Sequence, residues 1–267
     1  MDKIGFIGAG NMAQAIVEGI TDAFEGIERK VFVSDKDKER AKKLARSSRI
    51  NLCKNNVQVT ERANIILLAV KPNIYQYVLE EIRDYIGEDH ILVSIAAGIS
   101  IEYIQSFFKT PVKIVRTMPN TPALVGEGMT AVSANNQLTQ KELDGILKIF
   151  NSIGRTDLIG EELMDMIPSI SGSSPAYVYM FIEALADGGV LQGMPRDKAY
   201  KYAAQAVLGG AKMVLETGKH PGELKDQVCS PGGTTIKAVH SLEKNSFRGS
   251  IIDAMIACTE KAKNMSK

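Results

Sequence analysis

The chain has 267 residues, 45% of them hydrophobic, with 32 basic against 31 acidic side chains and a net charge of +1. That length and apolar content fit one large or two modest globular domains, and the charge balance gives no reason to expect nucleic acid or an anionic membrane as a partner. Three scattered cysteines, Cys53, Cys229 and Cys258, fit a reducing compartment and neither a disulfide framework nor a zinc site.

The N-terminus runs directly into an apolar segment, so no signal peptide is expected, and no apolar run approaches the length of a membrane span. The expected location is the cytosol. The first segment, Ile4 to Ile7, reads as a buried strand. Gly8-Ala9-Gly10 follows as a tight turn, and Asn11 to Phe24 carries Met12, Ile16, Ile20 and Phe24 at helical spacing. This is G-x-G-x-x-A opening from strand into helix. Gly8 allows the turn, Gly10 admits a pyrophosphate to the backbone, and Ala13 lets helix and strand pack closely. The free N–H groups at the helix start would then face phosphates, and the strand–turn–helix context favours a dinucleotide site over a merely structural turn.

Arg29 to Ser34 reads as the second strand, followed by the charged run Asp35-Lys36-Asp37-Lys38-Glu39-Arg40. The end of this strand meets the adenosine ribose in such folds. Asp35 there would bond a 2′-hydroxyl and favour NAD. Ser34 with Lys36, Lys38 or Arg40 would hold the 2′-phosphate of NADP. A solvated helix start with Asp35 as N-cap is the alternative. Ile50 to Cys53 is a short third strand, after which Asn56 is placed to reach the adenine side. Asn64 to Val70 is a fourth strand ending in Lys71-Pro72, with Pro72 suited to the first turn of the next helix. Ile91 to Ile95 is a fifth, and the small residues Ala96-Ala97-Gly98 leave room against a nicotinamide or simply make a tight exit. Val112 to Arg116, Met129 to Ala134 and Arg155 to Leu158 read as further strands, with a helix at Gln140 to Asn151. Alternating strands and helices over about 160 residues predict a Rossmann-type, doubly wound, mostly parallel sheet over residues 1–160.

The character changes near Glu161. From Ser173 onward the patterns are helical, predicting an all-α domain over 161–267. Pro175 to Leu191 and Asp197 to Thr217 are apolar on most faces, and Gly218 ends the second of them. Such helices must be covered all round, and about 100 residues enclose two of them poorly. Packing against a second copy of the chain is expected, with burial on the first domain as the alternative. Further on, Ser230-Pro231-Gly232-Gly233-Thr234-Thr235 precedes the apolar pattern Ile236, Val239 and Leu242. Ser230 is a candidate N-cap. Bare glycine backbone and two hydroxyls before a helix suit a carboxylate or phosphate, with a plain helix entry as the alternative. His90, His220 and His240 are too dispersed for a metal site and read as turn, loop and helix-surface residues. Met164, Met166, Met180 and Met194 read as core filler.

Phe6-Ile7-Gly8-Ala9-Gly10-Asn11-Met12, Ala69-Val70-Lys71-Pro72, Ser171-Gly172-Ser173-Ser174-Pro175-Ala176-Tyr177, Ala184 to Val190, and His220-Pro221-Gly222 through Thr235 together resemble the pyrroline-5-carboxylate reductase family over essentially the whole length. The resemblance implies NAD(P)H-dependent reduction of 1-pyrroline-5-carboxylate to L-proline. It also implies a helical C-terminal domain that interlocks two subunits, with decamers built from such dimers in many members. Its cofactor contacts fall on Ile7, Gly8, Ala9, Gly10, Asn11, Met12, Ser34, Asn56, Ala69, Val70, Lys71, Pro72, Ala96, Ala97 and Gly98, with Lys36 added from the charge pattern. Its substrate loop falls on Gly232, Gly233, Thr234 and Thr235. Thr235 would orient the ring nitrogen, and Glu161 matches a residue near the proline ring. Asp35 and Lys36 depart from strongly NADP-selective members, and Gln227 stands where some have Asn. The nearest rival, a 3-hydroxyacid dehydrogenase, needs a lysine in the first helix of its helical domain. None occurs here between Asp165 and Lys198. A non-catalytic dinucleotide sensor would have no use for the Gly-Gly-Thr-Thr loop.

Overall fold

A computed structural model describes residues 2–264. Eight strands form one sheet: β1 (Ile4–Ile7), β2 (Val31–Ser34), β3 (Asn51–Leu52), β4 (Ile65–Leu68), β5 (Ile91–Ser94), β6 (Lys113–Met118), β7 (Gly128–Ala134) and β8 (Gly154–Leu158). Their order is β3-β2-β1-β4-β5-β6-β7-β8. Only the β6–β7 pairing is antiparallel. Between the strands run α1 (Asn11–Ala23), α2 (Lys38–Ser47), α3 (Asn56–Arg62), α4 (Tyr75–Ile82), α5 (Ile101–Gln105) and α6 (Gln140–Asn151). The predicted doubly wound, mostly parallel sheet is what forms.

Strands β1 and β4, and β5 up to its last residue, are without polar side chains because both faces are covered. Successive side chains alternate between the faces. Ile4 and Phe6 of β1, Ile65 and Leu67 of β4, and Ile91 and Val93 of β5 enter one core with α1, α2 and α6. Ile7, Ile66, Leu68 and Leu92 enter the other, with Val59 of α3, Val78, Leu79 and Ile82 of α4, and Ile104 of α5. On α1, Ala13, Ile16, Val17 and Ile20 are buried at helical spacing.

The strand edges differ from the sequence reading in small ways. Arg29 and Lys30 close a 3-10 turn, Ile27–Lys30, and β2 starts at Val31. Gly26, at φ +75, sets up that turn.

After β8 come helices alone among the described residues: α7 (Ser174–Leu191), α8 (Arg196–Thr217), α9 (Pro221–Val228), α10 (Thr234–Lys244) and α11 (Phe247–Lys263). By internal compactness one unit runs through Ser173 and takes up the chain again from Cys258, and a second is Ser174–Ala257. Gly218, at φ +64, caps the end of α8 as expected. In the second unit α7 buries only Ala186, and α8 only Ala199 and Ala203. Tyr179, Met180 and Leu191 on α7, Leu208, Met213 and Leu215 on α8, and Ile252 and Ile256 on α11 are exposed on the single chain. Of the four methionines expected as filler, Met164 is buried, whereas Met166, Met180 and Met194 are exposed. No described helix is long and apolar enough to cross a membrane.

Candidate functional site

Strand order reverses direction between β1 and β4, the place where open α/β sheets leave a crevice at the carboxyl ends of their strands. The glycine turn sits there and is stitched to both neighbours. Gly8 N–H donates to Ser34 O at 2.8 Å, and Ala69 N–H donates to Ile7 O at 2.8 Å. Gly8 adopts φ +108, and a side chain there would run into the Ala69 carbonyl. Gly10 is different. Its φ is −75, it is the N-cap of α1 with no side-chain cap, and a Cβ built on it meets nothing within 4 Å. The first-turn amides of a 13-residue helix therefore stand without a side-chain acceptor, beside open space. That is a fit for a pyrophosphate.

Asp35 corrects the N-cap alternative. The cap of α2 is Asp37, which accepts from the Glu39 and Arg40 amides. Asp35 turns back to the glycine turn, where its carboxylate accepts the Ala9 N–H at 2.7 Å and the Asp37 N–H at 2.8 Å. Ser34 is buried and donates to Asn56 Oδ1 at 2.7 Å, while Asn56 Nδ2 donates to Glu81 at 2.7 Å. Two expected adenosine-side residues are thus joined. Of the cations at this edge, Lys38 donates to the Lys54 carbonyl and Arg40 lies against Asp37, leaving Lys36 exposed at the strand end.

Ala69 to Pro72 leave β4 with Pro72 opening a 3-10 turn, Pro72–Ile74. Ala96 to Gly98 leave β5, and Gly98 takes φ +74. Tyr75, unremarked in the sequence reading, is fully buried between these exits. Its hydroxyl donates to Leu68 O at 2.7 Å and lies 2.9 Å from Ser94 Oγ. Burial pushes its pKa well up, with the Ser94 hydroxyl and the backbone of Ile95 and Ala96 acting the other way. It stays a neutral brace across the ends of β4 and β5.

In the second unit, Ser230 does not cap a helix. It opens a turn closed by Gly233 N–H on Ser230 O at 3.0 Å, with Gly232 at φ +71. The N-cap of α10 is Gly233, again without a side-chain cap, so Thr234 and Thr235 begin the helix with uncapped amides. The sequence reading placed the cap three residues early because serine has the stronger preference, and the turn took precedence over it. His220 caps α9 through Nδ1, and His90 links Gly87 N–H to Thr60 O. Both are loop-setting, as expected. No group of acidic, histidine and cysteine side chains suited to a metal occurs among the described residues.

A family model for pyrroline-5-carboxylate reductase dimerisation matches residues 161–265. One for NADP oxidoreductase, coenzyme F420-dependent, matches 3–98. The pyrroline-5-carboxylate reductase of Escherichia coli (strain K12) is 48% identical over 265 residues, covering 99% of this chain and 98% of its own. This chain belongs to the pyrroline-5-carboxylate reductase family. The solved reductase from Coxiella burnetii superposes with a TM-score of 0.92 at 31% identity, over 100% of this chain and 99% of that one. The Plasmodium falciparum enzyme, solved with NADP bound, gives 0.88 at 36% identity, over 100% and 98%. Within this family fold, Glu161 lies in a 3-10 turn, Glu161–Leu163, and its carboxylate accepts from Ile101 N–H and from Arg116. Arg116 escaped the sequence reading because it sits inside a strand, where nothing local marks it as buried and paired.

Proposed function

We propose that this chain reduces 1-pyrroline-5-carboxylate to L-proline with NADPH, the last step of proline biosynthesis, and that NADH also serves. Full-length identity to the Escherichia coli reductase carries this reading. The two uncapped helix starts, at α1 and at α10, give it physical form. Residues 1–160 would bind the dinucleotide, and residues 161–267 would bind substrate and form the dimer.

The Gly10 turn and the first amides of α1 hold the pyrophosphate, with Ser34, Lys36 and Asn56 at the adenosine end. Ala69 to Pro72 and Ala96 to Gly98 line the nicotinamide end. A cofactor bound there supplies the hydride that reduces the C=N carbon. The amides of Thr234 and Thr235 grip the substrate carboxylate, with Gly232 leaving the approach open and the Gly233 amide kept in the turn on Ser230, and the Thr235 hydroxyl orients the ring nitrogen. A cyclic imine is basic enough to carry its own proton near neutrality, so the chain's main work is to hold two reactants in register. The test is loss of absorbance at 340 nm with NADPH or NADH and pyrroline-5-carboxylate. Oxidation with neither cofactor would overturn the assignment.

The exposed apolar faces of α7, α8 and α11 suit a homodimer formed through the helical domain, with a decamer of such dimers as the fuller assembly. A monomeric mass by light scattering would count against both. The location that fits this biosynthetic role is the cytoplasm.

A further inference from the structure

At the end of the loop that leaves β5 lies an ion cluster, a buried arginine with two half-buried carboxylates, that the proposed chemistry does not use. Arg116, on β6, is 5% exposed, and the sheet register sets it opposite Ser94, the last residue of β5. Its Nη1 donates to Glu161 Oε1 at 3.3 Å and its Nη2 to Asp165 Oδ1 at 2.6 Å. The same Glu161 oxygen accepts the N–H of Ile101 at 2.7 Å, from 60 residues away in the chain. Ile101 is the first residue of α5, whose opening amides have no partner inside the helix. Ser100 serves the Tyr103 amide. Glu161 therefore completes the cap from outside.

The chain between Ser94 and Ile101 is the loop that holds Ala96 to Gly98. Arg116 serves both of its ends: its backbone pairs beside Ser94 in the sheet, and its guanidinium holds the Glu161 carboxylate that receives the Ile101 N–H. A planar fork with two bonded carboxylates fixes direction in a way a flexible lysine would not. An ion cluster whose carboxylates are half-buried is weak as a source of stability. What it does supply is a fixed direction for the oxygen that receives the Ile101 N–H.

We propose that Glu161, aimed by Arg116, is a positioning residue that sets the nicotinamide-facing loop Ala96–Gly98 through the Ile101 amide, and that it does so without touching the substrate ring. This rests on the reading of that loop as the nicotinamide end of the cofactor site. Three variants of the full chain test it. Glu161→Ala removes the acceptor. Glu161→Gln keeps an oxygen for the amide. Ile101→Pro removes the donor at a first helical position, where proline is tolerated, and leaves Glu161 and Arg116 in place.

Amide hydrogen exchange over the α5 start and steady-state kinetics in each substrate are the readouts. Glu161→Ala is expected to raise exchange around Tyr103 by about tenfold or more, as an opened cap should. Both Glu161→Ala and Ile101→Pro should lower kcat about ten- to hundredfold, the scale of a small misplacement of a reacting group, with the imine KM nearly unchanged. Glu161→Gln should stay within about threefold of the parent in both readouts. Raised imine KM in Glu161→Ala and Glu161→Gln alike, with Ile101→Pro silent, would overturn the proposal in favour of direct substrate contact. Faster exchange with unchanged kinetics would overturn the placement of the loop while leaving the reductase activity standing. An inactive parent chain would instead sink the functional assignment.

Discussion

Two glycines, two residues apart, should fail in opposite ways when given a methyl group. Gly8 sits at φ +108, and its new Cβ would lie 2.8 Å from the Ala69 carbonyl carbon and closer still to the oxygen. A left-sided φ strains a non-glycine residue by about 1–3 kcal/mol. A backbone clash that cannot rotate away adds to that, so Gly8→Ala should destabilise by about 2–4 kcal/mol. For a unit of this size the midpoint should fall by roughly 5–15 °C. Gly10 sits at φ −75 with no atom within 4 Å of an added Cβ, so Gly10→Ala should cost less than about 1 kcal/mol, the scale of an altered N-cap. Its methyl would stand in the pyrophosphate approach. Losing one or two hydrogen bonds to a charged group is worth about 1.5–3 kcal/mol, so the NADPH Kd should rise about ten- to hundredfold. Thermal melts and fluorescence titration with NADPH separate the two. A Gly10→Ala protein that binds NADPH within about threefold of the parent would remove the turn from the cofactor site. A Gly8→Ala protein as stable as the parent would refute the steric account.

Thr235→Ala should lower kcat/KM by about one to two orders of magnitude with an unchanged melting point, as a lost well-placed polar contact does; unchanged kinetics would take Thr235 out of the mechanism. Asp35→Ser removes a negative charge from the proposed ribose end, so the ratio of kcat/KM for NADPH over NADH should rise roughly fivefold, the effect of one like-charge interaction of about 1 kcal/mol. Parallel assays with both cofactors read it, and a constant ratio would sink the idea. Glu142 has its pKa held below the ordinary glutamate value, first by its bond to Lys113 at 2.6 Å and further by the Thr139 capping contacts, with burial opposing. A depressed carboxyl adds stability above its unfolded pKa and loses it as pH falls through the folded one. Glu142→Gln should therefore be less stable than the parent by about 1 kcal/mol at pH 7, and urea melts at falling pH should show that gap closing below about pH 4.

The sheet was readable because its physics is local. Strands buried on both faces are short apolar runs, and Ile4–Ile7, Ile65–Leu68 and Ile91–Ser94 carry no polar residue before their last positions. Helix α6 runs over the same residues as the sequence pattern, Gln140–Asn151, and its start is fixed by a capping box of Thr139 and Glu142. Direction was not readable. Nothing in Gly128–Ala134 says that this strand runs against β6, since period-two alternation is the same either way. The 3-10 turn at Ile27–Lys30 went unseen because Arg29 and Lys30 lead into an apolar run with no breaker between.

The candidate site divides along the same line. The parts proposed to receive anions, one in each unit, are made of backbone, and glycines announce bare backbone in the sequence, so Gly8 and Gly10, and separately Gly232 and Gly233, could be picked out by letter alone. Its bracing is made of side chains that meet across long stretches of chain: Asp35 with Ala9, Ser34 with Asn56, Tyr75 with Ser94, and Arg116 with Glu161 and Asp165. Each of these is an ordinary residue until the sheet sets its partner beside it. Asp35 shows the consequence most clearly. Read as a letter it was either a helix cap or a ribose ligand. Folded, it already holds the Ala9 amide of the turn that would receive the pyrophosphate, so the residue at the ribose end and the glycine turn are one hydrogen-bonded piece. On the proposed reading, cofactor preference and cofactor grip are coupled through that bond, and a substitution at Asp35 chosen to change the first should also move the second.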